Sequence, residues 1–297
     1  MMPVIARTRE EMASVRASFG TLALVPTMGA LHEGHRSLLR RAHELADAVA
    51  VSIFVNPLQF GPDEDLDRYP RTFLADLEAC AEEDVALVFA PTVETMYPRR
   101  EDGGAEITID SGALGAIVEG ACRPGHFDGV LTVVLKLFNL VRPDAAVFGE
   151  KDAQQLAMIR RMVFDLNVPV KIVGSPTVRE DDGLALSSRN RYLSESERIT
   201  ALSLSLALRT GARAVADGPG QVVRAARAVL DEAAEAEPPL DLDYVKLVDP
   251  AAFHEVGEAF TGHAVLVVAG RVGDTHLIDN VPLVFTRVAT PHRPPEF

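Results

Sequence analysis

The stretch Pro26-Thr-Met-Gly-Ala-Leu-His-Glu-Gly-His35 separates an apolar segment, residues 21–25, from an amphipathic segment, residues 36–45. The apolar segment predicts a buried strand and the amphipathic segment a helix, so the stretch is a strand–turn–helix connection. Such connections bind phosphate, because their glycines let the backbone approach an anion and the N–H groups at the helix start point toward it. His32 and His35 share one face of the first helical turn and can donate hydrogen bonds to phosphate oxygens.

The first part of the chain alternates between strand-like and helix-like segments. After the first strand and helix, we expect strands at residues 48–55, 85–90, 145–148 and 168–173, and helices at residues 71–84, 128–141 and 152–165. This alternation is typical of an α/β protein with a Rossmann-like, doubly wound parallel sheet, which binds ligands beyond the carboxyl ends of its strands. The loops after residues 25, 55 and 148 all lie at that end, so we expect one site there.

The pattern of predicted elements changes near residue 178. We expect two alanine-rich helices at residues 196–216 and 220–236, followed by strands at residues 241–249, 263–269 and 275–281. This order predicts a smaller α+β domain with an antiparallel sheet. We therefore divide the chain into a Rossmann-like domain, residues 1–177, and a smaller α+β domain, residues 178–297, that closes over the site. The proline-containing tail from residue 289 is expected to be frayed.

Composition and charge argue against several classes of protein. The 297 residues include 29 Lys and Arg against 43 Asp and Glu, a net charge of −14 that repels nucleic acid and anionic membranes. No apolar run reaches the roughly 20 residues that span a bilayer, and the N-terminus lacks the pattern of a secretion signal. Cys80 and Cys122 are too few for a disulfide scaffold, and Cys80 is expected to pack in a core. We therefore expect a cytoplasmic protein without nucleic-acid or membrane partners.

Three further loops carry groups suited to binding. Asn56-Pro-Leu-Gln-Phe-Gly61 offers neutral amides for hydroxyls and carboxylates. Phe148-Gly-Glu-Lys-Asp-Ala-Gln-Gln155 is a second strand–turn–helix, where Gly149 permits close approach and Lys151 adds a positive charge at the helix start. Asp182-Gly-Leu-Ala-Leu-Ser-Ser-Arg-Asn-Arg-Tyr192 holds two hydroxyls and two guanidinium groups that can fold over a triphosphate. Each loop alone is also compatible with an ordinary solvated turn.

Taken together, in order and spacing, these runs resemble the pantothenate synthetase family, in which the first stretch is the His-x-Gly-His motif of nucleotidyltransferases. The matching runs are residues 26–35, 51–60 with 69–72, 119–127, 142–144 with 147–155, and 182–193. The resemblance covers nearly the whole chain. It implies an ATP-dependent, AMP-forming ligase that condenses pantoate with β-alanine through a pantoyl adenylate, uses Mg²⁺ and forms a homodimer.

The resemblance also implies roles for individual residues. His32, His35, Lys151 and Arg189 are expected to act in catalysis by stabilising phosphate charge, with His35 also a proton donor. Gln59 and Gln155 are expected to hold pantoate, and Asp76 to be a magnesium ligand. The expected nucleotide-binding residues are Met28, Gly29, Ala30, Leu31, His32, His35, Gly149, Lys151, Asp152, Val178, Leu186, Ser187, Ser188 and Arg189.

Three positions depart from the family pattern. Ala153 stands where Tyr is usual and Leu186 where Met is usual, but both are adjacent to the polar binding groups rather than among them. Ala75 stands where some members carry a second carboxylate beside Asp76, which weakens the magnesium assignment. Arg123 and His126 lie in a matching run without an assigned role.

Three other hypotheses remain open from the sequence. Another nucleotidyltransferase of the same superfamily would need a more basic acceptor site than the amides of Gln59 and Gln155. A tRNA-charging enzyme would need a basic surface, which a net charge of −14 disfavours. A non-catalytic nucleotide-binding regulator would be favoured by loss of the site's His or Lys, and none is lost. Pantoate-dependent exchange of labelled pyrophosphate into ATP separates these hypotheses.

Overall fold

The computed structural model describes residues 2–62, 64–98 and 105–286. Its first part contains six strands: β1 (Val4–Ala6), β2 (Leu22–Thr27), β3 (Ala48–Ile53), β4 (Leu87–Phe89), β5 (Ala145–Gly149) and β6 (Lys171–Ser175). They form one parallel sheet in the order β1-β4-β3-β2-β5-β6. Since β3 and β5 flank β2, the winding of the chain reverses at β2. In open α/β sheets a ligand-binding crevice lies at such a point.

Helices cover both faces of this sheet. They are α1 (Arg9–Arg16), α2 (Glu33–His43), α3 (Phe73–Glu82), α4 (Val93–Met96), α5 (Glu119–Cys122), α6 (His126–Val141) and α7 (Ala153–Asp165). In β2, Leu22 and Leu24 pack on the core formed with α1 and α6, whereas Ala23 and Val25 pack on the core formed with α2 and α3. Burial on both faces is why this strand has an unbroken apolar sequence. Cys80 is buried in the second of these cores, which confirms its predicted packing role.

The last part of the chain is a separate layer of helices on an antiparallel sheet. Helices α8 (Glu195–Arg213) and α9 (Pro219–Ala234) pack on β7 (Leu240–Val248), β8 (Gly262–Val272) and β9 (Thr275–Phe285). β8 pairs with both β7 and β9. A further apolar cluster, which includes Ala157 on one side and Tyr244 and Val267 on the other, joins this layer to the parallel-sheet part. The predicted fold class is therefore confirmed.

Some boundaries differ from the predicted ones. β1 and α1 were not predicted, because three and eight residues are too short to show a convincing period. The strand expected at residues 168–173 is the edge strand β6, which begins at Lys171, the first residue that pairs with β5. The proposed domain boundary at residues 177 and 178 falls in the connection between β6 and α8 and stays a prediction. The tail from residue 289 lies outside the described residues.

None of the helices within residues 2–62, 64–98 and 105–286 is both long enough and apolar enough to cross a membrane.

Candidate active site

A cavity of about 240 Å³ opens at the carboxyl ends of β2, β3 and β5, where the sheet topology predicts a ligand site. It brings together most of the residues that the sequence singled out: Met28, His32, His35, Gln59, Gly149, Lys151, Asp152, Gln155, Val178, Leu186, Ser187, Ser188 and Arg189. Among the described residues, the lining does not include four others that we predicted, which are Gly29, Ala30, Leu31 and Asp76.

The turn after β2 is held by a buried carboxylate from α3. Asp76, which is 2% exposed, accepts hydrogen bonds from the backbone N–H groups of Ala30 at 3.1 Å and Leu31 at 2.8 Å. Gly29 has φ +83°, and a Cβ at this position would lie 2.9 Å from an Asp76 oxygen, so the turn requires glycine here. The backbone amides of Ala30 and Leu31, two of the expected nucleotide-binding residues, are therefore used inside the protein, where they fix the shape of the turn.

The histidines that follow this turn cap α2 with their own rings. Nδ1 of His32 accepts a hydrogen bond from the N–H of Gly34 at 3.2 Å, and Nδ1 of His35 accepts one from the N–H of His32 at 3.3 Å. Because Nδ1 is an acceptor in both neutral rings, Nε2 carries the proton. The ring centroids are 4.1 Å apart. The pair therefore offers two Nε2–H donors at the cavity.

These two rings are neutral at physiological pH. Burial, followed by the nearby charge of Lys151, lowers the pKa of His32 from 6.5 to about 4. Burial, followed by the influence of His32 and Lys151, lowers the pKa of His35 to about 3. The positive charge at the cavity therefore comes from Lys151, Arg189 and Arg123, while the histidines supply oriented neutral donors.

The turn after β5 presents Lys151. It is a single 3₁₀ turn, Glu150–Asp152, that leads directly into α7. The side-chain amide of Asn280, on β9, donates to the carbonyl oxygens of Glu150 at 2.9 Å and Lys151 at 2.8 Å. Gln155 lines the cavity from the first turn of α7. This turn is therefore held from the antiparallel-sheet part of the molecule.

The turn after β3 presents Gln59. Its first residue, Asn56, is buried, accepts a hydrogen bond from the Tyr97 hydroxyl at 2.7 Å, and donates its amide to Oε1 of Gln59 at 3.1 Å. With its oxygen occupied in this way, Gln59 presents its NH₂ group at the cavity, where Nε2 lies 3.2 Å from Sδ of Met28. The orientation of the Gln59 amide is thus set by Asn56.

Arg123 and His126, which had no assigned role, also line the cavity and support the same turn. Nδ1 of His126 donates to the carbonyl oxygen of Gln59 at 2.8 Å, and its Nε2 accepts from Arg123 at 3.2 Å. The Arg123 guanidinium in turn pairs with Glu64 through contacts of 2.9 and 2.5 Å. Burial, followed by the charge of Arg123, lowers the pKa of His126 to about 4, so this ring is also neutral.

The loop Ser187–Arg189 closes the other side of the cavity. Ser187 caps the 3₁₀ turn Ser188–Tyr192, and the Ser188 hydroxyl lies 3.2 Å from the Tyr69 hydroxyl. The Arg189 guanidinium makes two hydrogen bonds with Asp65, at 2.9 and 2.7 Å. Burial alone raises the pKa of Asp65, but these hydrogen bonds outweigh it and hold that pKa below its usual range. A phosphate that binds Arg189 therefore competes with Asp65.

The innermost wall of the cavity is apolar. It is formed by one face of α6 with aromatic side chains that follow or end the neighbouring strands: Val130, Val133, Val134, Leu137, Phe54 and Phe148. We did not predict this wall, because the apolar pattern of α6 is equally that of a core helix. The cavity thus combines polar groups at its mouth with an apolar pocket.

Asp76 does not fit the magnesium role that we expected. Its carboxylate accepts a third hydrogen bond, from the Thr72 hydroxyl at 3.2 Å, and is turned away from the cavity toward backbone amides. Within residues 2–62, 64–98 and 105–286, no three His, Cys, Asp or Glu side chains are grouped so that they could hold a metal ion. The geometry favours Asp76 as an anchor of the turn.

The three departures from the family pattern lie around the site. Leu186 lines the cavity, and its Cβ lies 3.6 Å from the position that a Cβ on Gly34 would take. Ala153 lines a second, small cavity of about 40 Å³ next to Tyr244, between the two parts of the molecule. Ala75 is exposed on α3.

This fold and this cavity define a nucleotide-binding α/β protein with a second, smaller α+β part. The family model described as Pantoate-beta-alanine ligase matches residues 1–282. A pantothenate synthetase of Thermobifida fusca is 63% identical over 283 residues, which are 95% of this chain and 96% of that relative. The chain belongs to the pantoate–β-alanine ligase family.

Solved structures agree with this assignment. A pantothenate synthetase of Thermus thermophilus superposes with a TM-score of 0.85 at 45% identity, over 94% of this chain and 98% of that chain. A pantoate–β-alanine ligase of Francisella tularensis, determined in complex with β-γ ATP and β-alanine, superposes with a TM-score of 0.76 at 32% identity, over 94% of this chain and 97% of that chain. The predicted family, and with it the prediction of a ligase, are confirmed.

Proposed function

We propose that the chain joins pantoate to β-alanine and cleaves ATP to AMP and pyrophosphate. The observation that carries this proposal is one cavity whose lining combines hydrogen-bond donors suited to phosphate, neutral amides and an apolar wall. Family membership supports the same reaction. So does the Francisella tularensis relative, whose structure contains β-γ ATP and β-alanine.

Pantoate matches the inner half of the cavity in its chemistry. It carries a carboxylate and two hydroxyls, which suit the amides of Gln59 and Gln155. Its quaternary carbon carries two methyl groups, which suit the apolar wall that α6 contributes, including Val130 and Val134. A phosphate-bearing acceptor would need an unpaired cation at this end. Arg123, which also lines the cavity, is paired with Glu64 and Glu119, so the geometry disfavours the alternative nucleotidyltransferases.

The first step is attack of the pantoate carboxylate on the α-phosphorus of ATP, which gives pantoyl adenylate and releases pyrophosphate. Negative charge grows on the departing pyrophosphate. We assign its stabilisation to the Lys151 ammonium, to Arg189 and to the two Nε2–H donors of His32 and His35. With a pKa of about 3, His35 serves in the substrate-free site as a hydrogen-bond donor rather than as a store of protons.

In the second step the amine of β-alanine attacks the acyl carbon and AMP departs. One amine proton leaves with the AMP phosphate, so pantothenate and AMP account for all atoms. No covalent bond to the protein is needed, and the mixed anhydride must be kept from water until the amine arrives. The loop Ser187–Arg189, supported by its contacts with Tyr69 and Asp65, suits that shielding role.

Magnesium, the homodimer and the cytoplasmic location remain parts of the proposal. Since Asp76 does not fit as a ligand, magnesium belongs here as an ion carried by the phosphates of ATP, which is its usual manner of binding in nucleotide sites. The dimer and the location rest on the family resemblance. Light scattering of the purified protein, which gives its molar mass in solution, tests the dimer.

The decisive experiment omits β-alanine. Enzyme with ATP, magnesium and pantoate is expected to release pyrophosphate and to retain pantoyl adenylate. Mass spectrometry of the quenched mixture should show the adenylate as a small molecule and the protein at its unmodified mass. An adduct on the protein, or pyrophosphate release that waits for β-alanine, would contradict the mechanism. The matched control is 2,4-dihydroxybutanoate, which lacks the two methyl groups and should support much slower release.

A further inference from the structure

Two consecutive residues of β9, Asp279 and Asn280, are buried polar groups at the junction of the two sheets. They are 4% and 6% exposed. The Asn280 side-chain amide donates to two successive carbonyl oxygens, those of Glu150 and Lys151, at 2.9 and 2.8 Å. The 3₁₀ turn that carries Lys151 has no side-chain cap of its own. Asn280 therefore makes the hydrogen bonds that a cap would otherwise provide.

Asp279 holds the other phosphate-binding segment. Its carboxylate binds both terminal nitrogens of Arg179, at 2.6 and 2.9 Å, and Arg179 also donates to the carbonyl of Gly183 at 3.1 Å. Arg179 belongs to a small hairpin in which it pairs with Ala185, and the N–H of Leu186 donates to Val178 at 3.0 Å. The loop Ser187–Arg189 follows directly. Asp279 thus anchors the base of that loop.

Strand geometry allows two adjacent residues to serve two loops. Successive side chains in a strand point to opposite faces, so Asn280 and Asp279 reach in different directions. β9 itself is rigidly placed, because it pairs with β8 along its full length from Thr275 to Phe285. The spacing between the Lys151 turn and the Ser187–Arg189 loop is therefore set by one strand of the antiparallel sheet. Among the described residues that line the 240 Å³ cavity, neither Asp279 nor Asn280 occurs.

We propose that Asp279 and Asn280 are positioning residues that hold Lys151 and Arg189 at the separation that the triphosphate requires. The proposal rests on the assignment of these two side chains to the phosphates of ATP. It makes the antiparallel sheet a support of the phosphate site, although none of the described residues of that sheet lines the 240 Å³ cavity. A displacement of about 1 Å in a catalytic group can cost about 100-fold in rate, so these two anchors matter for turnover.

The first test is Asn280→Ala. Turnover is expected to fall about 10- to 100-fold, with the KM for pantoate unchanged within about twofold. The reason is that the Asn280 side-chain amide donates to the carbonyls of the Lys151 turn, whereas Gln59 is held by Asn56 and Gln155 by the helix α7. The matched control is Val284→Ala, on the same strand and 50% exposed, which should retain full turnover and the same melting temperature. Turnover within twofold of wild type in Asn280→Ala, or an equal rise in the pantoate KM, would overturn the proposal.

A double-mutant cycle separates this proposal from the assignment of the site itself. If Asn280 acts only through Lys151, then Asn280→Ala in a Lys151→Ala background should lower the residual turnover by no more than about twofold. A further loss as large as in the wild-type background would refute the positioning role while leaving the phosphate assignment intact. Undiminished turnover in Lys151→Ala alone would instead refute the phosphate assignment.

Asp279→Asn provides a second variant in case Asn280→Ala folds poorly. It keeps the size of the side chain but removes the charge that orients Arg179. We expect the KM for ATP to rise about 10-fold, and the rise to be absent in an Arg189→Ala background, since the effect passes through the Ser187–Arg189 loop. An unchanged KM for ATP, or an additive effect with Arg189→Ala, would contradict the role of Asp279.

Discussion

The turns that follow β2 and β5 share one layout, a strand, a short turn and a helix, but different parts of the molecule hold them. The β2 turn is fixed within the parallel-sheet part, by Asp76 of α3 and by the rings of its own histidines. The β5 turn is fixed across the junction, by Asn280 of β9. The two turns also differ in charge, because the first presents neutral imidazoles and the second an ammonium group.

Because of this difference, the two turns contribute different groups to the phosphate site. Oriented neutral donors can be held by local hydrogen bonds and cost less to bury than charged groups do. A cation such as Lys151 must be aimed at the position where negative charge grows in the transition state, so a rigid external support for its turn favours catalysis. Single substitutions can remove each part of this arrangement in turn.

Removing the cation should have the largest effect. We expect Lys151→Ala to fold normally and to lose about 100- to 1000-fold in turnover, which is the usual effect of deleting one preorganised charge donor. His35→Ala should also lose most of its turnover, through the loss of an Nε2–H donor. Steady-state kinetics with a coupled AMP assay measure both. The control is Lys171→Ala, which removes an exposed lysine of β6 outside the cavity. Activity close to wild type in either site variant would exclude the proposed phosphate site.

Removing the anchor of the β2 turn should mainly reduce stability. Asp76→Ala leaves the buried N–H group of Ala30 and the half-buried N–H group of Leu31 without partners, at a cost of about 1–3 kcal/mol for the buried one. Urea denaturation should therefore show a clear loss of stability, absent from Glu78→Ala on the exposed side of the same helix.

The same carboxylate can be tested as a magnesium ligand. If Asp76 is an anchor, Asp76→Asn should lower the melting temperature and leave the magnesium concentration for half-maximal activity unchanged. A several-fold rise in that concentration, without a loss of stability, would return Asp76 to the metal-binding role that the sequence suggested.

Neither turn should be responsible for recognition of the acid substrate. Gln59 and Gln155 are neutral and line the same cavity as the apolar wall. Replacing either by Ala should raise the KM for pantoate about 10-fold, as expected for one lost hydrogen bond to a charged or polar substrate, with less than a twofold change for ATP. Comparable changes in both KM values would mean that the acid pocket is misassigned.

The β2 turn was easier to predict from the sequence than its supports. The strand, the glycine turn and the amphipathic helix are continuous in the chain, so local periodicity and the motif reveal them together. Asp76 lies 46 and 45 positions from the amides that it binds, and Asn280 lies 129 positions from the Lys151 carbonyl. Contacts at such separations leave no local pattern, which is why Asp76 was given a metal role and Asn280 was missed.

In the fold, too, features with a local sequence pattern were predictable and features that depend on contacts between distant residues were not. The alternating βα pattern was sufficient for the parallel sheet, and the predicted strands at residues 48–55 and 145–148 coincide closely with β3 and β5. The spacing of the two phosphate-binding segments depends on how β9 docks against the Lys151 turn, which is a tertiary property. The apolar wall of the cavity was likewise hidden, because the residues of α6 that line it have the sequence of a core helix.

The smallest predicted effect concerns the neutral state of the β2 turn. His35 has a pKa of about 3 in the folded protein against an ordinary value of 6.5, so between these values the unfolded chain binds more protons than the folded one. Above pH 6.5 the His35 ring is mostly neutral in both the folded and the unfolded state, so it does not reduce stability there. As the pH falls below 6.5, the unfolded chain binds the proton first and the free energy of unfolding decreases. Replacement by Gln, which does not titrate, removes this dependence.

Urea denaturation at several pH values from 7.5 to 5 measures this dependence. The slope of the unfolding free energy against pH should be shallower in His35→Gln than in wild type, by at most about 1.4 kcal/mol per pH unit. His254→Gln, at an exposed histidine, is the matched control and should leave the slope close to that of wild type. If His35→Gln kept the wild-type slope, the ring would titrate alike in the folded and unfolded states. The β2 turn would then become charged as the pH falls through about 6.5, and its contrast with the β5 turn would hold only above that pH.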